Sequence, residues 1–235
     1  MTDNKDTSTI EVWDLPVRLF HWLLVLAVLG AYISHEAGIE YFIYHLWCGY
    51  AVVILVSFRI LWGVLGTYHA RFWNFLKKPT HTIRYGIDLV NNKETHYTGH
   101  NPLGAWMVIM LLIALLAQGI TGLFGNDEIL NFGPLYGYVS NEFSLKLTSI
   151  HRQLFDLLVA AVAIHVLAVT FHLVIKKENL IRAMLTGRKP RNQVNSSVEI
   201  QSSRLWLAAL LVLGLCAALV WLVGHAPKPE PISFL

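Results

Sequence analysis

The sequence predicts an all-α membrane protein: a four-helix transmembrane bundle followed by a fifth, C-terminal transmembrane helix. Three observations predict it. The 235 residues are 55% hydrophobic and only 14% charged, a balance that suits a lipid-embedded chain rather than a water-soluble one. Five apolar stretches, residues 17–35, 45–65, 103–124, 150–175 and 205–223, each approach the length of about 20 residues that a spanning helix needs. Lys and Arg gather in alternate connections between those stretches, as they do in multi-pass membrane proteins.

Lipid offers the backbone no hydrogen-bonding partner, so each spanning stretch must bond within itself, which makes it helical. The polar segment 1–15 lacks the Lys/Arg-rich opening of a signal peptide, and the first stretch is read as a retained anchor. The connection 66–102 carries Arg71, Lys77, Lys78, Arg84 and Lys93. The connection 176–204 carries Lys176, Lys177, Arg182, Arg188, Lys189, Arg191 and Arg204. Between them, the turn 36–44 has neither Lys nor Arg, and the loop 125–149 has Lys146 alone. Both basic connections are therefore expected in the cytoplasm, with the N-terminus inside, the Pro-rich tail 226–235 in the periplasm, and the whole chain in a bacterial inner membrane. Residues 77–91 have the composition of a short interfacial helix with a basic face. The fourth stretch is the longest and is expected to protrude on one side. The domain plan is a bundle over 1–190, a polar linker over 191–203, and the fifth helix with a short outer tail over 204–235. That helix reads as an anchor or docking element. Cys48 and Cys216 lie inside apolar runs, which excludes a disulfide framework; there is no Cys-x-x-Cys-His motif, and there are too few cysteines for an iron–sulfur cluster.

Ionisable groups inside a bilayer are costly and mark function. His21 and His45 open the first two stretches, while His151 and His165 share the fourth, fourteen residues apart. At the helical rise that separation is about 21 Å on nearly one face. The alternating topology pairs His45 with His151 near the outside and His21 with His165 near the inside. Iron in a b-type haem takes one imidazole on each side of the ring, so two depth-matched pairs call for two haem b groups. His35, fourteen residues after His21, competes for the outer site, although Ser34 and Glu36 suggest a solvated helix end. His172, seven residues after His165, sits close to a haem edge or a quinone. His69, His81, His96, His100 and His225 are expected to be solvated or interfacial. Arg59, fourteen residues after His45, lies at the inner level; it either forks onto a haem propionate or snorkels to the surface. Arg18 and Arg152 are further propionate candidates. Asp156 either moves protons or is capped by a polar neighbour, and His172 and His100 are the other relay candidates.

At these residues the chain resembles a known family. Arg18-Leu-Phe-His21-Trp22, His45 with Gly49, and Arg59-Ile-Leu-Trp-Gly63 are similar to the first two helices of the prokaryotic cytochrome b561 and nickel-dependent hydrogenase b-type cytochrome family. Gly99-His-Asn-Pro-Leu-Gly104 resembles a loop of one branch, His151 and His165 match its fourth-helix pair, and 176–187 its basic tail. The resemblance covers about residues 10–190. It implies a four-helix bundle with two b haems and a quinone site, with ligand roles on His21, His45, His151 and His165. The fifth helix departs from the four-helix form.

Together these features predict a membrane electron-transfer cytochrome, a subunit of a respiratory oxidoreductase rather than a stand-alone enzyme. It would work between the quinone pool and a periplasmic redox protein such as a hydrogenase or a c-type cytochrome, with a second copy of the chain as a further candidate partner and no nucleic acid. One alternative is a self-contained superoxide:quinone oxidoreductase, disfavoured by the acidic outer loops, where Asp127, Glu128 and Glu142 face Lys146 alone. A metal-ion transporter would set carboxylates beside histidines at one depth, whereas these histidines fall in two layers.

Overall fold

A computed structural model describes residues 8–91, 93, 97–129, 131–194 and 198–227. In chain order the elements are β1 (Thr9–Glu11), α1 (Leu15–Glu36), α2 (Phe42–Leu65), α3 (Phe72–Phe75), α4 (Pro79–Val90), α5 (Pro102–Leu123), α6 (Asn141–Val174), α7 (Leu180–Thr186), β2 (Arg188–Pro190) and α8 (Leu205–Gly224). Helices α1, α2, α5, α6 and α8 are long and apolar enough to cross a membrane. The architecture is the all-α membrane bundle that the length of the apolar stretches predicts. The boundaries differ most at α6, whose 34 residues begin nine positions before the apolar run at 150. Ser140 starts it by accepting the Phe143 N–H at 3.3 Å. The Glu142–Lys146 pair, one turn apart at 2.8 Å, then carries the helix through its polar turns.

The chain divides into two compact units, and the long helices contribute one segment to each. One unit takes the described residues up to His21 with Arg59–Leu111 and Val162–Ala208. At its centre is Asp14, 1% exposed. Its carboxylate accepts the Val17 N–H at 2.7 Å, capping α1, and the Trp62 indole N–H at 3.0 Å. It also accepts the Thr67 hydroxyl. The start of α1 is thereby tied to the end of α2. Gly63 lets this corner close: a Cβ there would lie 2.0 Å from the Phe72 ring.

The same unit holds a small antiparallel clasp in which Thr9, Ile10 and Glu11 pair with Pro190, Lys189 and Arg188. The linker region is docked rather than free at its described residues. The Ile200 N–H donates to Glu11 at 3.3 Å, and His69 Nε2–H donates to the Val198 carbonyl at 2.8 Å. Arg204 reaches the Leu65 carbonyl at 3.2 Å, where the end of α2 leaves carbonyls without helical partners. Five large apolar side chains of α8, Trp206, Leu210, Leu213, Val220 and Trp221, are more than half exposed, as the lipid-facing side of a helix requires.

The other unit takes Trp22–Phe58 and Leu112–Ala161 with the described residues from Ala209 on. Small residues set its helix contacts. A Cβ on Gly30 of α1 would lie 2.8 Å from Cys48 Sγ of α2, and one on Gly119 of α5 would lie 2.6 Å from Val53 of α2. Asn126 closes the end of α5 by donating to Asn141 at 2.7 Å and accepting the Glu128 N–H at 2.7 Å.

Asp14→Ala would strand two buried donors and remove a helix cap. The expected cost is about 3–5 kcal/mol, read as a lower denaturation midpoint in detergent, with Asp14→Asn costing less because one oxygen remains.

Candidate functional site

The second unit brings together two of the histidines singled out by their spacing. His45 on α2 and His151 on α6 have ring centroids 6.2 Å apart and ring planes at 77°. His45 Nδ1 lies 2.9 Å from the Ala31 carbonyl. A carbonyl only accepts, so the ring proton sits on Nδ1 and the lone pair on Nε2. His151 repeats the arrangement on α5, donating from Nδ1 to the Gln118 carbonyl at 2.9 Å. Thr121 Oγ1 is a second acceptor at 3.3 Å, its own proton going to the Ala117 carbonyl at 2.8 Å. The Gln118 amide donates to His151 Nε2 at 3.2 Å, which fits the same tautomer. Gly122 makes room for the ring: a Cβ there would lie 2.9 Å from His151 Cε1.

A carbonyl-anchored Nδ1–H is the support that metal-bound imidazoles commonly have. Bonds from a metal ion to imidazole nitrogen are about 2 Å long, so two rings clamping one ion in line have centres about 6 Å apart. The His45–His151 spacing fits. One turn beyond His45, a Cβ on Gly49 would meet nothing within 4 Å, which leaves open space beside the pair. His35 is also near, its ring 5.9 Å from His45, but it is exposed. Ser34 corrects the expectation of a solvated helix end. It is buried, with its hydroxyl bonded back to the Gly30 carbonyl at 2.7 Å; solvent begins one residue later.

In the first unit His21 on α1 and His165 on α6 are both half-buried and lie within electrostatic reach of each other. Arg59, on α2, is 2% exposed. Its guanidinium stacks over the Phe72 ring at 5.1 Å. Neither Nη1 nor Nη2 has a hydrogen-bond partner among the described residues. Asp14 is close enough to feel the Arg59 charge, yet its oxygens are committed to Val17, Trp62 and Thr67. A buried guanidinium with both outer nitrogens open is costly, and it suits a forked carboxylate. This answers the snorkelling alternative: Arg59 does not reach the surface. Arg18 is used differently, donating through Nη2 to the Leu185 carbonyl at the end of α7. Its buried Nε lacks a partner among the described residues.

Of the two readings for the histidines of the basic connection, solvated or interfacial, the solvated one does not hold for His69 and His100. His69 is 6% exposed beneath Val198. His100 is wedged between Trp13 and Phe75, each ring 4.6 Å away, with Nδ1 buried. Burial, then the charges of Arg59 and Lys189, pull the His100 pKa down to about 3, so the ring is a neutral imidazole at physiological pH. His81 is exposed and within 3.1 Å of the Tyr97 hydroxyl, His225 is exposed at the end of α8, and Arg152 and Asp156 are exposed on α6. His96 lies outside the described residues.

His172, at the end of α6, is buried. Its Nε2 accepts from the Asn101 amide at 3.3 Å and its Nδ1–H donates to Glu178 at 3.2 Å. Glu178 also accepts Lys189, 2% exposed, at 2.8 Å. Burial alone would raise the Glu178 pKa, but the His172 hydrogen bond and the Lys189 charge outweigh it and hold the carboxyl down at about 2.

Several of these partners were not singled out from the sequence. Asp14 had a legible signal, a helix cap one residue before an apolar run. Gln118 and Thr121 are polar residues inside a spanning stretch and were legible as such. The Glu178–Lys189 pair had none, because it depends on the β1–β2 clasp.

Residues 12–187 match the family profile of prokaryotic cytochrome b561. The chain belongs to that family. It is accordingly a multi-pass membrane b-type cytochrome of electron transfer, and haem b is its cofactor class. Similar curated proteins include two named "Probable Ni/Fe-hydrogenase B-type cytochrome subunit". The one from Azotobacter chroococcum mcd 1 is 27% identical over alignments covering 78% of this chain and 89% of the relative. The one from Azotobacter vinelandii is 26% identical, with the same coverage of 78% and 89%. A third protein of that name, from Cupriavidus necator, is 24% identical, covering 80% and 89%. No solved structure matches the chain. The donor set fits a b haem: paired imidazoles with a defined tautomer at His45 and His151, and, in the unit that holds His21 and His165, a buried guanidinium with both outer nitrogens open.

Glu178 has a depressed folded pKa, so its stabilisation is full above about pH 4.5 and is lost as pH falls toward 2. Glu178→Gln should lower stability at pH 7 by about 3 kcal/mol and flatten that acid limb, as measured by denaturation midpoints across pH.

Proposed function

We propose that this chain is a di-haem cytochrome b that carries electrons across the bacterial inner membrane between the quinone pool and a redox partner protein. The observation that carries this reading is the His45–His151 pair, each ring with Nδ1–H on a backbone carbonyl, their centres 6.2 Å apart. His45 and His151 would hold one haem near the periplasmic side. His21 and His165 would hold the other near the cytoplasmic side. Bound haem supplies the one-electron chemistry. The chain supplies the rest. Helix α5 fixes His151 through Gln118, Thr121 and Gly122. Arg59 offers its two open nitrogens to a propionate, and Arg18 is a second, weaker contact.

A quinone also needs protons. His172, held between Asn101 and Glu178, is the best-connected relay residue. His100, neutral and buried, can hydrogen-bond to a ligand, and exposed Asp156 is the remaining candidate. The basic connections support a cytoplasmic N-terminus and a periplasmic tail. The bundle over 1–190, the linker over 191–203 and the added helix over 204–235 form the working plan. The relatives' names support a hydrogenase as the partner; a c-type cytochrome and a second copy of the chain are the other candidates.

The purified protein should show two b haems per chain in haem extraction and reduced-minus-oxidised spectra. His45→Ala or His151→Ala should remove one haem, the same one, and His21→Ala or His165→Ala the other. A double substitution within a pair should do no more than a single one, and one across pairs should leave none. Full haem content in any of the four alanine variants would sink the assignment of that residue.

A further inference from the structure

Helix α4, residues Pro79–Val90, has no part in the reading above, and it carries an unusual exposed row. Ile83, Ile87 and Val90 fall four and three residues apart, on one helix face, and are 65%, 57% and 81% exposed. Thr82 and Tyr85, on the opposite face, are buried. Pro79 at the first position starts the helix and fixes its entry. Arg84 lies beside the apolar row, and Lys77 and Lys78 precede it, all exposed. The nearby acids do not cancel this charge. Asp88 is one half-buried residue, and Glu178 is engaged by His172 and Lys189.

Contacts within the same unit fix the depth of α4. The Trp106 indole, one turn into α5, donates to the Lys77 carbonyl at 3.2 Å. A Cβ on Gly86 would lie 3.8 Å from Leu103 at the start of α5. Lys176, just past the end of α6, donates to the Leu89 carbonyl at 3.3 Å. Two points along α4 and one just before it therefore meet the ends of two spanning helices, so the helix lies across those ends rather than projecting from them. Exposed Trp73 and the Trp106 ring sit at the same end, as aromatic residues do at a membrane–water boundary.

We propose that α4 is a lipid-binding surface: Ile83, Ile87 and Val90 enter the bilayer interface while Lys77, Lys78 and Arg84 take the headgroups of anionic phospholipids. An apolar row flanked by basic residues at interface depth suits that occupant. A soluble partner would leave the row in water until it bound, whereas the leaflet is always present.

The test uses the full-length protein in nanodiscs containing phosphatidylcholine and phosphatidylglycerol. A Cys48→Ser, Cys216→Ser, Ile87→Cys variant is labelled with an environment-sensitive fluorophore, and circular dichroism confirms its helix content. Quenching by spin-labelled lipid, with little quenching by aqueous iodide, is expected. Strong iodide quenching would overturn the proposal, and so would protection from both quenchers, which means protein covers the face. Phosphatidylglycerol should be enriched over phosphatidylcholine in lipid co-purifying with the parent protein. Lys77→Gln, Lys78→Gln and Arg84→Gln should each cut that enrichment, by up to about fivefold. Unchanged enrichment in the triple variant would overturn the anionic-headgroup assignment.

Discussion

The position of one proton on an imidazole governs what this bundle can hold. A histidine inside lipid cannot borrow water to settle which nitrogen is protonated, so the protein must settle it. At His45 and His151 backbone carbonyls do so: those of Ala31 and Gln118 accept the Nδ1–H, which puts the lone pair on each Nε2, and at His151 that lone pair accepts the Gln118 amide. Both carbonyls come from a helix other than the one bearing the histidine. The tautomer is thus a property of helix packing, and α5, which carries no histidine, is as necessary to the site as α2 and α6.

The same economy of polar groups appears around Asp14 and Arg59. Asp14 accepts three donors, from the α1 turn, α2 and the chain after α2. Arg59, electrostatically coupled to it, keeps two nitrogens open among the described residues. Had the carboxylate been free, the two side chains would have closed on each other as an ordinary ion pair. With Asp14 engaged by neutral donors, Arg59 stays a buried cation whose two outer nitrogens are without a hydrogen-bond partner among the described residues.

Much of this was legible in the sequence, and the part that was not has a physical reason. The five spans follow from apolar run length, and α1, α2, α5 and α8 begin and end within a few residues of the expected positions. The runs could not show where α6 begins, because its first turns are polar and are helical through the Ser140 cap and the Glu142–Lys146 pair. Spacing paired His45 with His151 without revealing the carbonyls that orient them. Position in a basic connection suggested solvated or interfacial places for His69 and His100, and of these solvation is excluded by their burial. Within that connection Phe72–Phe75 and Pro79–Val90 fold as α3 and α4, and aromatic side chains such as Trp13 and Phe75 close over the His100 ring. Charge counting reads a segment's average polarity; it does not see which side chains the fold covers.

The two-stranded clasp has a topological meaning beyond its size. Strand β1 precedes the first spanning helix and β2 follows the fourth, and residue-by-residue pairing requires them to share one aqueous side. An even number of crossings between them is the parity that allows it. During synthesis β1 is made before α1, and its partner strand only after α6 and α7. Closing so long a loop is slow and comes late. The clasp can form only in a chain whose four insertions have each kept the right direction, and a single missed crossing would leave the two strands on opposite sides of the membrane.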